Sequence, residues 1–279
     1  MRWVELVAMF GLFATATPAL AQTDPPKVKW LVDGAGPRCS LSRTLEGSPA
    51  ATLFLRTYPG VGQYELVLVG KSWGNHIAPG SELAVTFGPG GAIHKRTAQI
   101  ITLGWAVGKA VGMESLLPPF LDDFSRADSL ALSVRGKKVA AYALPVAAKA
   151  VAALRECENQ KLMEWGADPA GFENGATRAK PIGDPAKWLS YLDVRQAITN
   201  LTVGTAKTLT VARLKIGLDG RVEDCAVIAS TGNERLDAIA CPRLRERALY
   251  QPAMDRSGKA VRSVMLYPVA WTTISTIEF

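Results

Sequence analysis

From residue 39 onward the first half of the chain alternates apolar and polar positions in short runs. Segments 39–45 (CSLSRTL), 51–58 (ATLFLRTY), 63–69 (QYELVLV) and 82–87 (ELAVTF) each put one apolar face against one polar face, the period-two pattern of a half-buried strand. Pro59-Gly60, Pro79-Gly80 and Gly88-Pro89-Gly90-Gly91 punctuate them. A further strand is expected at 28–32, one strand or a pair across 93–105, and a hairpin over 129–143 around Arg135-Gly136-Lys137. Short strands at regular spacing predict antiparallel sheets rather than a parallel α/β fold. Two helices interrupt them. One spans 118–127 and opens on Pro118-Pro119, where a missing N–H costs nothing. The other, 146–165, closes the unit and carries Ala147, Ala150, Val151, Leu154, Cys157, Lys161 and Leu162 along the face turned to the sheet.

The periodicity stops at 166–185 (GADPAGFENGATRAKPIGDP), whose glycines and prolines predict a spacer on the order of 25 Å in coil dimension. Alternation then returns. Ala212, Leu214, Ile216 and Leu218 share one face, and Cys225, Val227 and Ala229 share one in the next run. Asp219-Gly220 between them is suited to a type I′ hairpin turn, because Gly tolerates φ > 0. Ser230-Thr231-Gly232-Asn233 ends the second run, with Asn233 placed to cap a helix bearing Leu236, Ile239, Ala240, Leu244 and Ala248 at helical spacing. Pro242 is expected to kink or divide that helix. A turn at 255–259 leads to a last strand over 261–273. The whole is an α+β chain: a mainly antiparallel β domain with a closing helix, then a β-hairpin/helix/β domain.

The ordered set DGRV, strand, STGN, LD, arginine-rich helix, QPA, D-x-x-G-K and closing strand resembles the C-terminal domain of TonB, in the cysteine-containing form of periplasmic energy-transducer TonB-like proteins. The segment PAKWLSYLDVRQA (185–197) fits the short helix that precedes the first strand in that family. The first domain is similar to the exported invasion-associated locus B proteins, a likeness of fold that implies no activity. The resulting division is a leader over 1–21, a β-rich domain over 22–165, a linker over 166–184 and a TonB-like domain over 185–279.

The opening MRWVELVAMFGLFATATPALAQ has a basic start, an apolar run and an Ala19-Leu20-Ala21 cleavage pattern, so it reads as an export signal with a mature start at Gln22. An uncleaved inner-membrane anchor facing the periplasm is the alternative. An oxidising compartment makes the four cysteines two disulfides, for which three pairings exist. Cys225 with Cys241 is favoured, because the hairpin's second strand must face the following helix; this bridge contributes about 3 kcal/mol by chain entropy. Cys39 with Cys157 then staples the first domain. The net charge of +7 is spread over both halves, so it supports contact with a membrane surface or peptidoglycan and not a nucleic-acid module.

Catalytic signatures lack their context. Gly70-Lys71-Ser72-Trp73-Gly74 spells G-x-S-x-G, but the following residues to Gly80 cannot open the helix that a nucleophile elbow needs, so hydrolysis through Ser72 and His76 is the minor reading. The glycines at 88, 90 and 91 lack the ending of a phosphate loop. Asp122-Asp123 and Glu223-Asp224 are adjacent pairs whose side chains diverge. With no C-x-x-C and only His76 and His94, no metal site is expected, nor a cofactor or catalytic residue. Arg243, Arg245 and Arg247 read as a solvated helix end that offsets the macrodipole, with an anionic partner as the alternative. The TonB resemblance implies a binding role instead. The domain would take an extended peptide of a TonB-dependent outer-membrane receptor as an added strand, along the edge carrying Val261, Ser263, Met265, Tyr267, Val269 and Trp271. Pro268 is also compatible with an ordinary protected edge.

Overall fold

The computed structural model describes residues 29–71, 77–103, 108–190, 193, 208–232 and 234–271. The leader, Ser72, His76, Asn233 and residues 191, 192 and 194–197 of the segment expected as a short helix therefore lie outside the described residues.

Among the described residues ten strands build the first domain. They are β1 (Leu31–Asp33), β2 (Cys39–Leu45), β3 (Ala51–Thr57), β4 (Tyr64–Gly70), β5 (Glu82–Phe87), β6 (Ile93–Thr97), β7 (Gln99–Thr102), β8 (Lys109–Leu116), β9 (Ser129–Val134) and β10 (Lys137–Ala143). They form a six-stranded sheet ordered β1-β2-β3-β4-β8-β7 and a four-stranded sheet ordered β10-β9-β5-β6, with every pairing antiparallel. The segment expected as one strand or a pair at 93–105 is a pair, β6 and β7. Only Ala98 separates them, and there the chain passes from one sheet to the other. Apolar residues of both sheets meet in one core, among them Leu41, Leu53, Leu55, Leu66 and Met113 from the first and Leu83, Val85 and Leu132 from the second. β8 went unread in the sequence. Ala110 to Met113 are all buried, so this interior strand shows no polar alternate positions from which a period could be read.

Helix α1 (Pro118–Arg126) sinks Phe120, Leu121 and Phe124 into that core. Helix α2 (Ala147–Glu164) packs on β1 and β2 and against α1. The Cys39–Cys157 disulfide ties α2 to β2 across 118 residues, a closure that contributes about 5 kcal/mol in the chain-entropy account.

The second body is built on a three-stranded antiparallel sheet, β13-β12-β17, made of β12 (Thr208–Ile216), β13 (Val222–Ala229) and β17 (Ser263–Trp271). Helix α3 (Glu234–Arg247) lies on β12 and β13 and buries Leu236, Ala240 and Leu244 against Ala212, Leu214 and Ile216. The Cys225–Cys241 disulfide joins helix to strand. Of the kink or division expected at Pro242, the division does not occur: α3 runs through it as one element. Neighbours on both sides, Cys241 by its disulfide and Ala240 and Leu244 by burial, hold the backbone helical despite the lost donor. The hairpin turn also differs from the expected type I′. Gly220 alone takes positive φ (80°), Gly220 N–H donates to Gly217 O, and the loop is a turn followed by a left-handed glycine. A Cβ at Gly220 would stand 1.8 Å from the Tyr250 carbonyl, so glycine is required there twice over. The strand expected over 261–273 is divided. β16 (Ala260–Val261) pairs with β15 (Ala253–Met254), and β17 starts afresh at Ser263.

Segment 166–184 packs instead of hanging free. Ala167 and Ala179 are buried, and β11 (Lys180–Pro181) pairs with β14 (Tyr250–Gln251). Thr177 exchanges backbone hydrogen bonds with Met254, and Asp168 N–H donates to Arg262 O. Gly/Pro content reports a lack of regular structure, not a lack of contacts, and backbone pairing needs no large side chains.

One buried carboxyl lies where this segment meets the first domain. Glu158 of α2 sits beside Thr57 Oγ1 (3.5 Å) and near Arg178. Burial pushes it up to about 7, while Arg178, Thr57 and Arg155 pull the other way. The unfolded chain releases this proton near 4.5 and the folded one near 7, so folded stability declines as pH rises through that window. Glu158→Gln should therefore stabilise the protein at pH 8 by on the order of 2 kcal/mol and change it little at pH 4, as read by urea unfolding at both pH values.

Candidate functional site

β17 has a single strand neighbour, β12, and its other edge carries no strand among the described residues. Its two faces are already occupied. Met265, Tyr267 and Val269 pack into the core under α3, and Val264 and Leu266, on the opposite face, are buried as well. Val264 contacts Leu162 of α2 and Ala167, with Trp165 and Phe172 alongside. Thus Met265, Tyr267 and Val269, singled out from the sequence, are brought together as core side chains. Val261 is buried in the same core from β16, Ser263 opens β17, and Trp271 stands at its end opposite Thr208. What β17 leaves for a partner is backbone.

Pro268 shows which backbone groups those are. Lacking an N–H, a proline sits in a sheet where its nitrogen faces away from the paired strand. By strand alternation Leu266 and Ala270 then turn their N–H and C=O groups to the open side with it, and Val269 turns its own to β12. Arg262, of the same parity, hands its carbonyl to Asp168 on that side.

The residues before β12 brace the edge from beneath. Trp188 is buried and meets Tyr250 and Tyr267 with ring centroids 5.2 and 5.5 Å apart. The Tyr267 hydroxyl donates to Pro185 O at 2.6 Å. Asp193, buried, holds the end of α3: Arg247 Nη1 lies 2.6 Å from its Oδ2, Arg243 Nε 2.9 Å from its Oδ1, and the Ser190 hydroxyl donates at 2.6 Å. The Arg247 guanidinium first and the Ser190 hydroxyl second hold this carboxyl well below the usual carboxylate range, against the opposing effect of burial. Two of the three arginines expected to face solvent or an anion are thus paired inside the chain, and Arg245 stays exposed. The sequence signal for this was the i,i+4 spacing of Arg243 and Arg247, which put both on one side of the helix, but nothing marked Asp193 as their partner.

At the other end of α3, Asp237 accepts hydrogen bonds from Thr210 of β12, from the Ser230 hydroxyl and from Thr231 N–H. Burial pushes its pKa up, yet these hydrogen bonds outweigh it and hold the carboxyl below its ordinary value. The STG stretch and the LD dipeptide are therefore parts of one joint between helix and sheet. On β13 the adjacent carboxylates diverge as strand alternation requires, Glu223 to Arg262 and Asp224 to Arg213, while on helix α1 Asp122 pairs with Arg155 and Asp123 with His94 and Arg126. Among the described residues no cluster of three metal-ligand side chains occurs, and no helix is long and apolar enough to cross a membrane.

Residues 208–273 match the family model described as Gram-negative bacterial TonB protein C-terminal. This segment is a TonB C-terminal-type domain. The match spans the β13-β12-β17 sheet and α3 and leaves the first domain and segment 166–184 outside it. No curated protein and no solved structure matches the chain.

The Asp193 joint gives a stability test for the TonB-like body. Asp193→Ala leaves two guanidinium groups without their shared carboxylate; because both are about one-third exposed, the cost is about 2 kcal/mol, less than for a fully buried pair. Its depressed native pKa makes the contribution present above about pH 4 and lost as pH falls below the unfolded value. Urea unfolding of wild type and variant should differ at pH 7 and converge under strongly acid conditions.

Proposed function

We propose that this chain is a periplasmic TonB-like binding or adaptor protein rather than an enzyme. Its C-terminal body takes an extended segment of a partner as an added strand along β17, and the partner is a TonB-dependent outer-membrane receptor. The observation that carries this reading is that, among the described residues, no strand pairs with the outer edge of β17, within a segment that matches the TonB family model. Both faces of the strand are filled, so its free hydrogen-bonding groups are the means of recognition left to it. In strand addition main-chain hydrogen bonds supply the affinity, and neighbouring side chains supply the preference. Pro268 removes the middle donor, and with Val264 approached by Gly60 the uncovered part of the edge is Leu266 and Ala270 with the Pro268 carbonyl between them, which favours a short partner strand.

The test uses a synthetic peptide carrying a receptor's TonB box. Hydrogen exchange should slow at Leu266 and Ala270 when the peptide is added. Ala270→Pro, which deletes one outward donor, should weaken binding about fivefold, the worth of one main-chain hydrogen bond. Val269→Pro is unsuited to this, because it would break the ladder to β12 and destabilise the domain itself. Peptide at millimolar concentration that leaves both amides unprotected would remove β17 as the binding edge.

A further inference from the structure

We propose that the first domain gates the β17 edge: the end of α2 and the strap 166–181 cover the beginning of that edge, and Arg178 is the fastening that holds them there. The inference rests on the strand-addition reading and adds its regulation.

The cover is made of three kinds of contact. Apolar packing comes from Leu162 and Ala167 on Val264. Backbone pairing comes from Asp168 N–H on the Arg262 carbonyl, the same side of the strand that Leu266 and Ala270 present farther along. Close approach comes from Gly60 of the first domain, where a Cβ would stand 3.5 Å from both the Val264 carbonyl and the Met265 sulfur. An incoming strand running past Leu266 toward Ser263 meets this cover.

The fastening is polar and reversible. Thr177 and Lys180 are hydrogen-bonded into the second body, to Met254 and Gln251. Between them Arg178 reaches back to the first domain. It donates to Asn159 of α2, lies over the Phe172 ring with its guanidinium carbon 4.6 Å from the centroid, and faces the buried Glu158 carboxyl. A single side chain therefore bridges the two bodies. Closure also leaves polar atoms short of partners. Ser263 Oγ, at the edge of the crevice between strap and β17, and Arg213 Nε, on the neighbouring strand, are both buried without a hydrogen bond among the described residues. Opening would return such groups to water, so the closed state is held against a standing cost and is poised to yield.

The test compares the full-length protein with Arg178→Ala, and with Asn159→Ala as a milder variant that removes one acceptor of Arg178. Hydrogen exchange at Asp168, whose N–H crosses to Arg262, reads the strap. Titration with the receptor-box peptide reads the edge. Arg178→Ala should speed exchange at the Asp168 amide about tenfold and tighten peptide binding severalfold, with Asn159→Ala shifting both in the same direction by less. Unchanged exchange in both variants, or faster exchange with peptide affinity equal to wild type, would overturn the gate while leaving strand addition standing. Absence of peptide binding in every protein would remove strand addition and the gate together.

Discussion

The structure depends on how a three-stranded sheet gets both of its faces covered. Three strands with one helix bury one side, and an antiparallel sheet can keep water on the other, but this sheet carries Val264 and Leu266 there and has them covered. Here α3 covers one face of β13-β12-β17, and the opposite face receives Leu162 and Ala167 from the end of the first domain. This arrangement makes the strap a structural part of the second body. It also leaves hydrogen-bonding edges, rather than apolar surface, as what β17 has to offer.

Fixing α3 falls to groups at its ends and middle. Asp237 joins its first turns to Thr210 and the Ser230–Thr231 loop, the Cys225–Cys241 bridge pins its centre, and Asp193 gathers Arg243 and Arg247 at its end. Each ties the helix to a different part of the body, so the helix can pass through Pro242 without breaking. Trp188 and the Tyr267 hydroxyl bond to Pro185 then set β17 on the same foundation. An edge meant to pair with a partner strand needs its backbone held at a fixed twist, and this bracing supplies it.

Much of this was legible in the chain. Alternation located β2, β5, β9 and the β12–β13 hairpin, and helical spacing located the buried stripe of α3. The requirement that β13 face α3 chose the Cys225–Cys241 pairing, and the Cys157 face of α2 chose the other. What escaped had specific physical causes. β8 is buried on both faces and so has no period. The strap binds through backbone groups, which composition does not display. Tyr267 and Val269 were read as sharing one face, and they do, but alternation does not say whether a face meets a partner or the core. Asp193, the residue that pairs with two arginines, is distant from them in sequence and matched by no local spacing rule.

The central claim is that the open side of β17 accepts a strand. The most direct measurement is the set of intermolecular amide contacts seen by NMR between isotope-labelled protein and unlabelled receptor-box peptide. The account predicts cross-strand contacts from the peptide to the Leu266 and Ala270 amides in one continuous register. Contacts confined to the β13 edge or to the first domain, with those two amides unperturbed, would contradict it.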